Sequence, residues 1–216
     1  MSRDNHLPSR SSSSLNRRSI LVGGAIAGFS TALGVSALTA RPSQATTQSD
    51  DAAILNNALF YEHQAIWAYG FAAGKLSDTE VGRAVKALAL RNQADHMAHR
   101  DVLAQAVQSL KATPVAARQS YDVSSYIQQG EGNIDSDVNI AKLALALEVD
   151  AAIAYTTEVA RLKTPALITA GASIGSTESA HAAAIRAAFV SLGVNIPIVP
   201  AAFVSADNRQ AWVLRV

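Results

Sequence analysis

Two half-repeats constrain this chain more than any other feature. Glu62 is followed seven residues later by Tyr69, and Glu148 seven residues later by Tyr155. About one helix downstream of each comes a second pair at i, i+3: His96 with His99, then Glu178 with His181. Residues three apart on a helix are neighbours on one face, so each such pair aims two ligating side chains the same way. The order Glu…Tyr, His-x-x-His, Glu…Tyr, Glu-x-x-His thus places six candidate metal ligands on four helical segments. The Glu-to-His separation is 37 residues in the first half and 33 in the second. That leaves room for the rest of one helix, a turn and most of a helix back, so each Glu can lie level with its own His.

The rest of residues 46–216 supports helices. They are rich in Ala and Leu, with four prolines. Helix A is predicted from about Asp50 to Ala73, with Ser49 or Asp50 as N-cap and Gly74 ending it. Its inward face carries Ile54, Leu55, Ala58, Leu59, Glu62, Ile66 and Tyr69 at spacings of three and four. Helix B opens on Ser77-Asp78-Thr79-Glu80, read as a capping box, and runs to about Leu110. Its inward face carries Val85, Leu88, Ala89, Asn92, His96, His99 and Leu103. Residues 112–135 read as a long connection, with a turn of helix near Tyr121–Tyr126. Helix C is expected from about Ser136 to Leu162. Helix D opens on Thr164-Pro165 as N-cap and N1 and runs to about Leu192, with Gly171 and Gly175 weakening its first turns. Residues 193–216 read as an ordered tail on the bundle. His63 is assigned to the rim, and Trp67 and Trp212 to packing.

The first 45 residues read as a separate unit. Residues 1–19 carry four arginines against Asp4, and residues 20–40 carry no charge. The core Asn16-Arg17-Arg18-Ser19-Ile20-Leu21 resembles a twin-arginine export signal, and Ser43-Gln44-Ala45 fits a signal-peptidase site after Ala45. The domain division is therefore a leader at 1–45 and a helical domain at 46–216, exported to the periplasm or an equivalent compartment. The competing reading is an uncleaved membrane anchor, since 21 uncharged residues suffice to span a bilayer. Of the 18 Lys+Arg and 17 Asp+Glu, five and one lie in the leader, leaving 13 against 16 and a net −3. No basic stripe remains, and nucleic acid is excluded as a partner. With no cysteine, disulfides, thiolate zinc sites and cysteine-ligated iron–sulfur clusters are excluded too.

The ligand pattern resembles the ferritin-like superfamily of di-iron and di-manganese carboxylate bundles, which offer one Glu from each of two helices and Glu-x-x-His from each of the other two. The resemblance spans roughly residues 50–192. Ala58 through Tyr69, His99-Arg100-Asp101, and Leu147-Glu148 through Tyr155 also look like the ferritin-like domain families of exported bacterial proteins. It implies an all-α four-helix bundle with a long central crossover connection and a core site for one or two iron or manganese ions. Carried over, Glu62 and His99 would serve one metal, Glu148 and His181 the other, and Glu178 would bridge. Tyr69 and Tyr155 would orient the carboxylates.

His96 departs from that pattern, standing where a bridging Glu is expected. Three carboxylates leave two divalent ions one charge short, which is costly in a core. A hydroxide or Asp95 are the candidate compensators, although Asp95 sits about 100° round the helix from His96. A single ion, zinc or manganese as readily as iron, is the simpler outcome. Without metal, the three carboxylates are expected to repel one another and to have raised pKa values. The implied functions are a metal-dependent oxidoreductase meeting oxygen or peroxide, or a non-enzymatic envelope or stress protein with a degenerate site. Assembly into a homo-oligomer is compatible with either.

Overall fold

The computed structural model describes residues 42–216, with side chains from residue 47 onward. The leader assignment, with Arg17, Arg18 and the uncharged run, lies outside the described residues. Within them no helix is long and apolar enough to cross a membrane.

Four long helices and two short ones form, and no strand occurs among the described residues. They are α1 (Pro42–Ala73), α2 (Glu80–Ser109), α3 (Ser124–Gln128), α4 (Asp137–Val159), α5 (Pro165–Ser191) and α6 (Arg209–Trp212), with a 3₁₀ turn at Ala206–Asn208 before α6. Short connections at 74–79 and 160–164 join α1 to α2 and α4 to α5, and each pair packs closely along its length. The connection from 110 to 136 carries α3 and joins the two hairpins.

The helix starts show where local chemistry departs from expectation. α1 begins at Pro42 rather than near Asp50. Neither Ser49 nor Asp50 ends the helical run; a proline suits a first turn, where its missing N–H costs nothing. At α2 the Ser77-to-Glu80 box does not close. Thr79 is the N-cap, accepting from the Gly82 N–H at 3.0 Å. Ser77 is held instead by Asp137, at 2.8 Å to its N–H and 2.6 Å to its hydroxyl, tying this turn to the start of α4. Thr164 and Pro165 open α5, but the Thr164 side chain makes no cap. It donates to Asp51 of α1 at 2.7 Å, and Asp51 also accepts the N–H groups of Lys163 and Thr164. A fully buried carboxylate from the other hairpin thus satisfies orphan donors of this terminus.

Gly171 and Gly175 do not interrupt α5, because close packing requires them. A Cβ on Gly175 would lie 2.9 Å from the Tyr155 Cβ, and one on Gly171 would lie 2.7 Å from the Val159 Cγ2.

Two apolar clusters fill the bundle. One holds Leu55, Leu59, Leu103, Val107, Leu167 and Ile174; the other holds Leu145, Val149, Ala182, Ile185, Phe189 and Trp212. Along α5, Glu178 and His181 fall between Ile174 of the first and Ala182 of the second. The candidate ligands therefore form a polar belt between two dry layers. The tail is ordered as expected. Trp212 and Val213 enter the second cluster, and Arg186 donates to the carbonyls of Pro197 and Trp212. Arg209 pairs with Glu131 at 2.6 and 2.7 Å and with Asp150 at 2.5 and 2.9 Å, clamping the tail to the crossover and to α4. His63, on the rim, meets the Val115 carbonyl at 3.1 Å, where the crossover runs along α1.

Candidate metal centre

Four helices each deliver ligating groups to one buried belt. Glu62 comes from α1, His96 and His99 from α2, Glu148 from α4, and Glu178 and His181 from α5. All but His99 are buried, and its side chain is only 13 % exposed. The six fall into two overlapping quartets. Glu62, His96, His99 and Glu178 each offer one ligand atom, all within 4.8 Å of one another; so do His96, Glu148, Glu178 and His181. His96 and Glu178 belong to both.

His96 spans the belt. Its Nδ1 lies 2.8 Å from Glu62 Oε2, and its Nε2 lies 3.3 Å from Glu148 Oε1 and 3.7 Å from Glu178 Oε2. His181 Nδ1 lies 3.3 Å from Glu148 and 3.2 Å from Glu178, while its Nε2 meets Asp95 Oδ2 at 3.2 Å. Asp95 therefore acts on the outer nitrogen of His181, the arrangement by which a carboxylate fixes the tautomer and aim of a ligating imidazole. It contributes charge beside the belt rather than within it.

The tyrosines exchange partners between hairpins. Tyr69, which follows Glu62 in the chain, donates a short hydrogen bond to Glu148. Tyr155, which follows Glu148, donates a short one to Glu62. Asn92 adds a donor at 3.1 Å to the Tyr69 hydroxyl and 3.4 Å to Glu148. Helical spacing places Asn92 on the inward face of α2, and its position four residues before His96 is the signal for this role.

The electrostatics correct the expectation of three mutually repelling carboxylates. Burial opposes ionisation of Glu62, but His96 and His99 outweigh it and hold the carboxyl at about 2. Burial is likewise overcome at Glu148, held well below the usual range by His96 and His181. Glu178 alone is raised: burial dominates there, and Glu148 adds repulsion. Burial works against protonated imidazoles, yet the carboxylates prevail, raising His99 to about 9, His181 to about 10 and His96 well above 6.5. The replacement of a fourth carboxylate by His96 thus gives the metal-free belt its own counter-charges. Both tyrosines stay protonated, because burial and a neighbouring carboxylate raise them well above 10.

One pair of atoms stands outside this mutual satisfaction. His99 Nδ1 and Glu178 Oε1 are 2.9 Å apart, yet they are not aligned as a hydrogen bond, and both are buried without a partner. Unpaired buried polar atoms are rare and ask for an explanation. Once His99 gives up its Nδ1 proton, two ligating atoms at that spacing, not aimed at each other, suit a third centre between them. The donor set of carboxylate oxygens and imidazole nitrogens suits first-row divalent ions. The belt fits a metal.

A family model described as the ferritin-like domain matches residues 50–191. The chain belongs to the ferritin-like domain family. A conserved hypothetical protein from Mycobacterium tuberculosis, known from its crystal structure, is similar at 23 % identity and a TM-score of 0.55 over 64 % of this chain and 96 % of that one, which shows the shared fold. No curated protein matches the chain. The family accounts for the two hairpins and the long crossover of an all-α ferritin-like bundle.

Proposed function

We propose that this ferritin-like chain is an exported metal protein that binds one or two iron or manganese ions in the belt. The observation that carries the reading is the pair of overlapping quartets sharing His96 and Glu178, with His99 Nδ1 and Glu178 Oε1 close together in the first of them but not hydrogen-bonded. In it, Glu62 and His99 serve one position, Glu148 and His181 the other, and Glu178 reaches both. Iron or manganese bound by these residues would supply the redox chemistry toward oxygen or peroxide. The protein's own part is to orient the ligating groups. Tyr155 and Tyr69 fix the carboxylates of Glu62 and Glu148, Asp95 fixes the ring of His181, and the two apolar layers close the belt off on either side along the bundle. Protonated imidazoles are the groups that give up protons when a cation enters, because His99 and His181 hold theirs to about 9 and 10.

The second reading is an envelope or stress protein that retains the fold without turnover. It is favoured by the closeness of the imidazole–carboxylate pairs, above all His96 with Glu62 at 2.8 Å, which neutralise one another without a cation. Metal analysis of untagged protein taken from the export compartment separates the two. Bound iron or manganese supports the first. Metal-free protein whose melting is unmoved by iron, manganese or zinc supports the second. Export by the twin-arginine route rests on Asn16-Arg17-Arg18-Ser19 and the uncharged run after it. Assembly into a homo-oligomer belongs to the same proposal and is read by sedimentation of the loaded protein.

A further inference from the structure

A cavity of about 310 Å³ lies between α1 and α4, walled by α3 and the crossover. It exists because the two helices face each other with alanines. Ala65, Ala68 and Ala72 on α1 meet Ala144, Ala151 and Ala154 on α4, at helical spacings where larger side chains would close the gap. Trp67, Phe71, Tyr61 and Tyr126 line its sides. Tyr61, Phe71 and Ile134 are also 43 %, 40 % and 38 % exposed, so the cavity has an apolar mouth open to solvent. Its floor is polar: Tyr69, His96 and Glu148 border both the cavity and the belt.

We propose that this cavity binds an uncharged, ring-containing small molecule and lays its inner end against the Tyr69–His96–Glu148 edge of the belt. The volume suits one. An engineered apolar cavity of about 150 Å³ takes a benzene, and this one is roughly twice that, within reach of ordinary ligand pockets. Charge selects the class. Among the described residues no Lys or Arg lines the cavity, so an anionic head group finds no partner among them. Its two carboxylates are already engaged: Glu148 by Tyr69 and the imidazoles, and Asp150 by Arg209. An ammonium group therefore gains little there, and an aromatic body against aromatic walls gains most. Binding itself does not depend on metal. That the ligand is also the substrate of the belt rests on the metal reading above.

The probe is N-phenyl-1-naphthylamine, an uncharged ringed fluorophore, titrated into the full chain. Saturable emission is expected, with energy transfer from tryptophan that Trp67→Phe reduces while binding persists, Trp212 being the donor that remains. Ala68→Leu and Ala151→Leu fill the cavity from opposite walls. Each should weaken binding by at least about tenfold, a loss of about 1.4 kcal/mol, with helix content and metal content unchanged. Dodecanoate should not displace the probe. Absence of saturable binding would overturn the proposal. So would undiminished binding in a folded filled variant, undiminished transfer in Trp67→Phe, or displacement by dodecanoate, which would mark an anionic-lipid site. Metal measured on the same samples keeps the two claims apart: probe binding to protein that takes up no metal would remove the metal reading and leave the cavity site standing.

Discussion

Tyr155 donates its hydroxyl hydrogen to Glu62, a residue of the other hairpin 93 positions earlier. Tyr69 returns the relationship by donating to Glu148. The two halves are thus cross-pinned through the carboxylates that face the belt. Tyr155→Phe leaves a buried carboxylate one donor short, and the expected loss is about 1–3 kcal/mol. Tyr69→Phe should cost less, because Asn92 still reaches Glu148. Denaturant unfolding of the two variants at neutral pH checks both the size and the order.

The backbone behind Tyr155 is set by Gly175. The Tyr155 Cβ, fixed by its backbone, lies only 2.9 Å from where an added methyl would sit, so Gly175→Ala must push α5 away from α4. A loss of about 1–3 kcal/mol is expected for overpacking of this kind. The same substitution at Gly130, where nothing lies within 4 Å of the added carbon, has no packing cost. It carries only the strain of a left-handed backbone. Thermal melting of both variants measures the difference.

The site was legible in the sequence to the extent that helical spacing decides it. His96 with His99 and Glu178 with His181 lie on single helix faces, and Glu62 and Glu148 recur at matching levels, so the gathering of all six follows from periodicity and hairpin length. What periodicity does not contain is the neighbour across the bundle. Asp95 is rotated away from His96 as expected, but that rotation aims it at His181 on α5. The exchange of Tyr69 and Tyr155 likewise depends on how the two hairpins register. The charge state is not legible in the carboxylates alone, because the three imidazoles between them outweigh their mutual repulsion. Capping residues do not fix the helix starts alone: α1 runs on past Ser49 and Asp50 to Pro42, and at α2 Asp137 takes Ser77 away from its box. The cavity was invisible, since alanines on an inward face read as ordinary core.

Stability of the metal-free protein should depend on pH in a defined direction. His99 rises from 6.5 to about 9, so its contribution is full below 6.5 and is lost as pH climbs through 9. His181, at about 10, follows. Glu178, raised by burial, adds a cost as it ionises above the ordinary carboxylate range. Glu62 falls from 4.5 to about 2, so its contribution is full above 4.5 and is lost as pH drops through 2. Chelator-treated protein should therefore melt highest between about 4.5 and 6.5 and lower at pH 9. Metal affinity should run the other way. It rises with pH up to about 9, by roughly tenfold per unit for each imidazole that must shed a proton.

The proposed export rests on two residues. Arg17→Lys together with Arg18→Lys keeps the charge and removes the paired guanidinium groups, and the double variant should remain in the cytoplasm. Fractionation of cells expressing it beside the wild type decides the matter; normal export would exclude the twin-arginine route.

The central claim is that the belt holds a metal, and metal content tests it most directly. Untagged wild type and Glu178→Gln are purified from the export compartment and analysed for iron, manganese and zinc. One or two ions per wild-type chain are expected, and loss of most of them in Glu178→Gln, because Glu178 belongs to both quartets. Wild-type protein without bound metal, with a melting point that added ions do not shift, would contradict it.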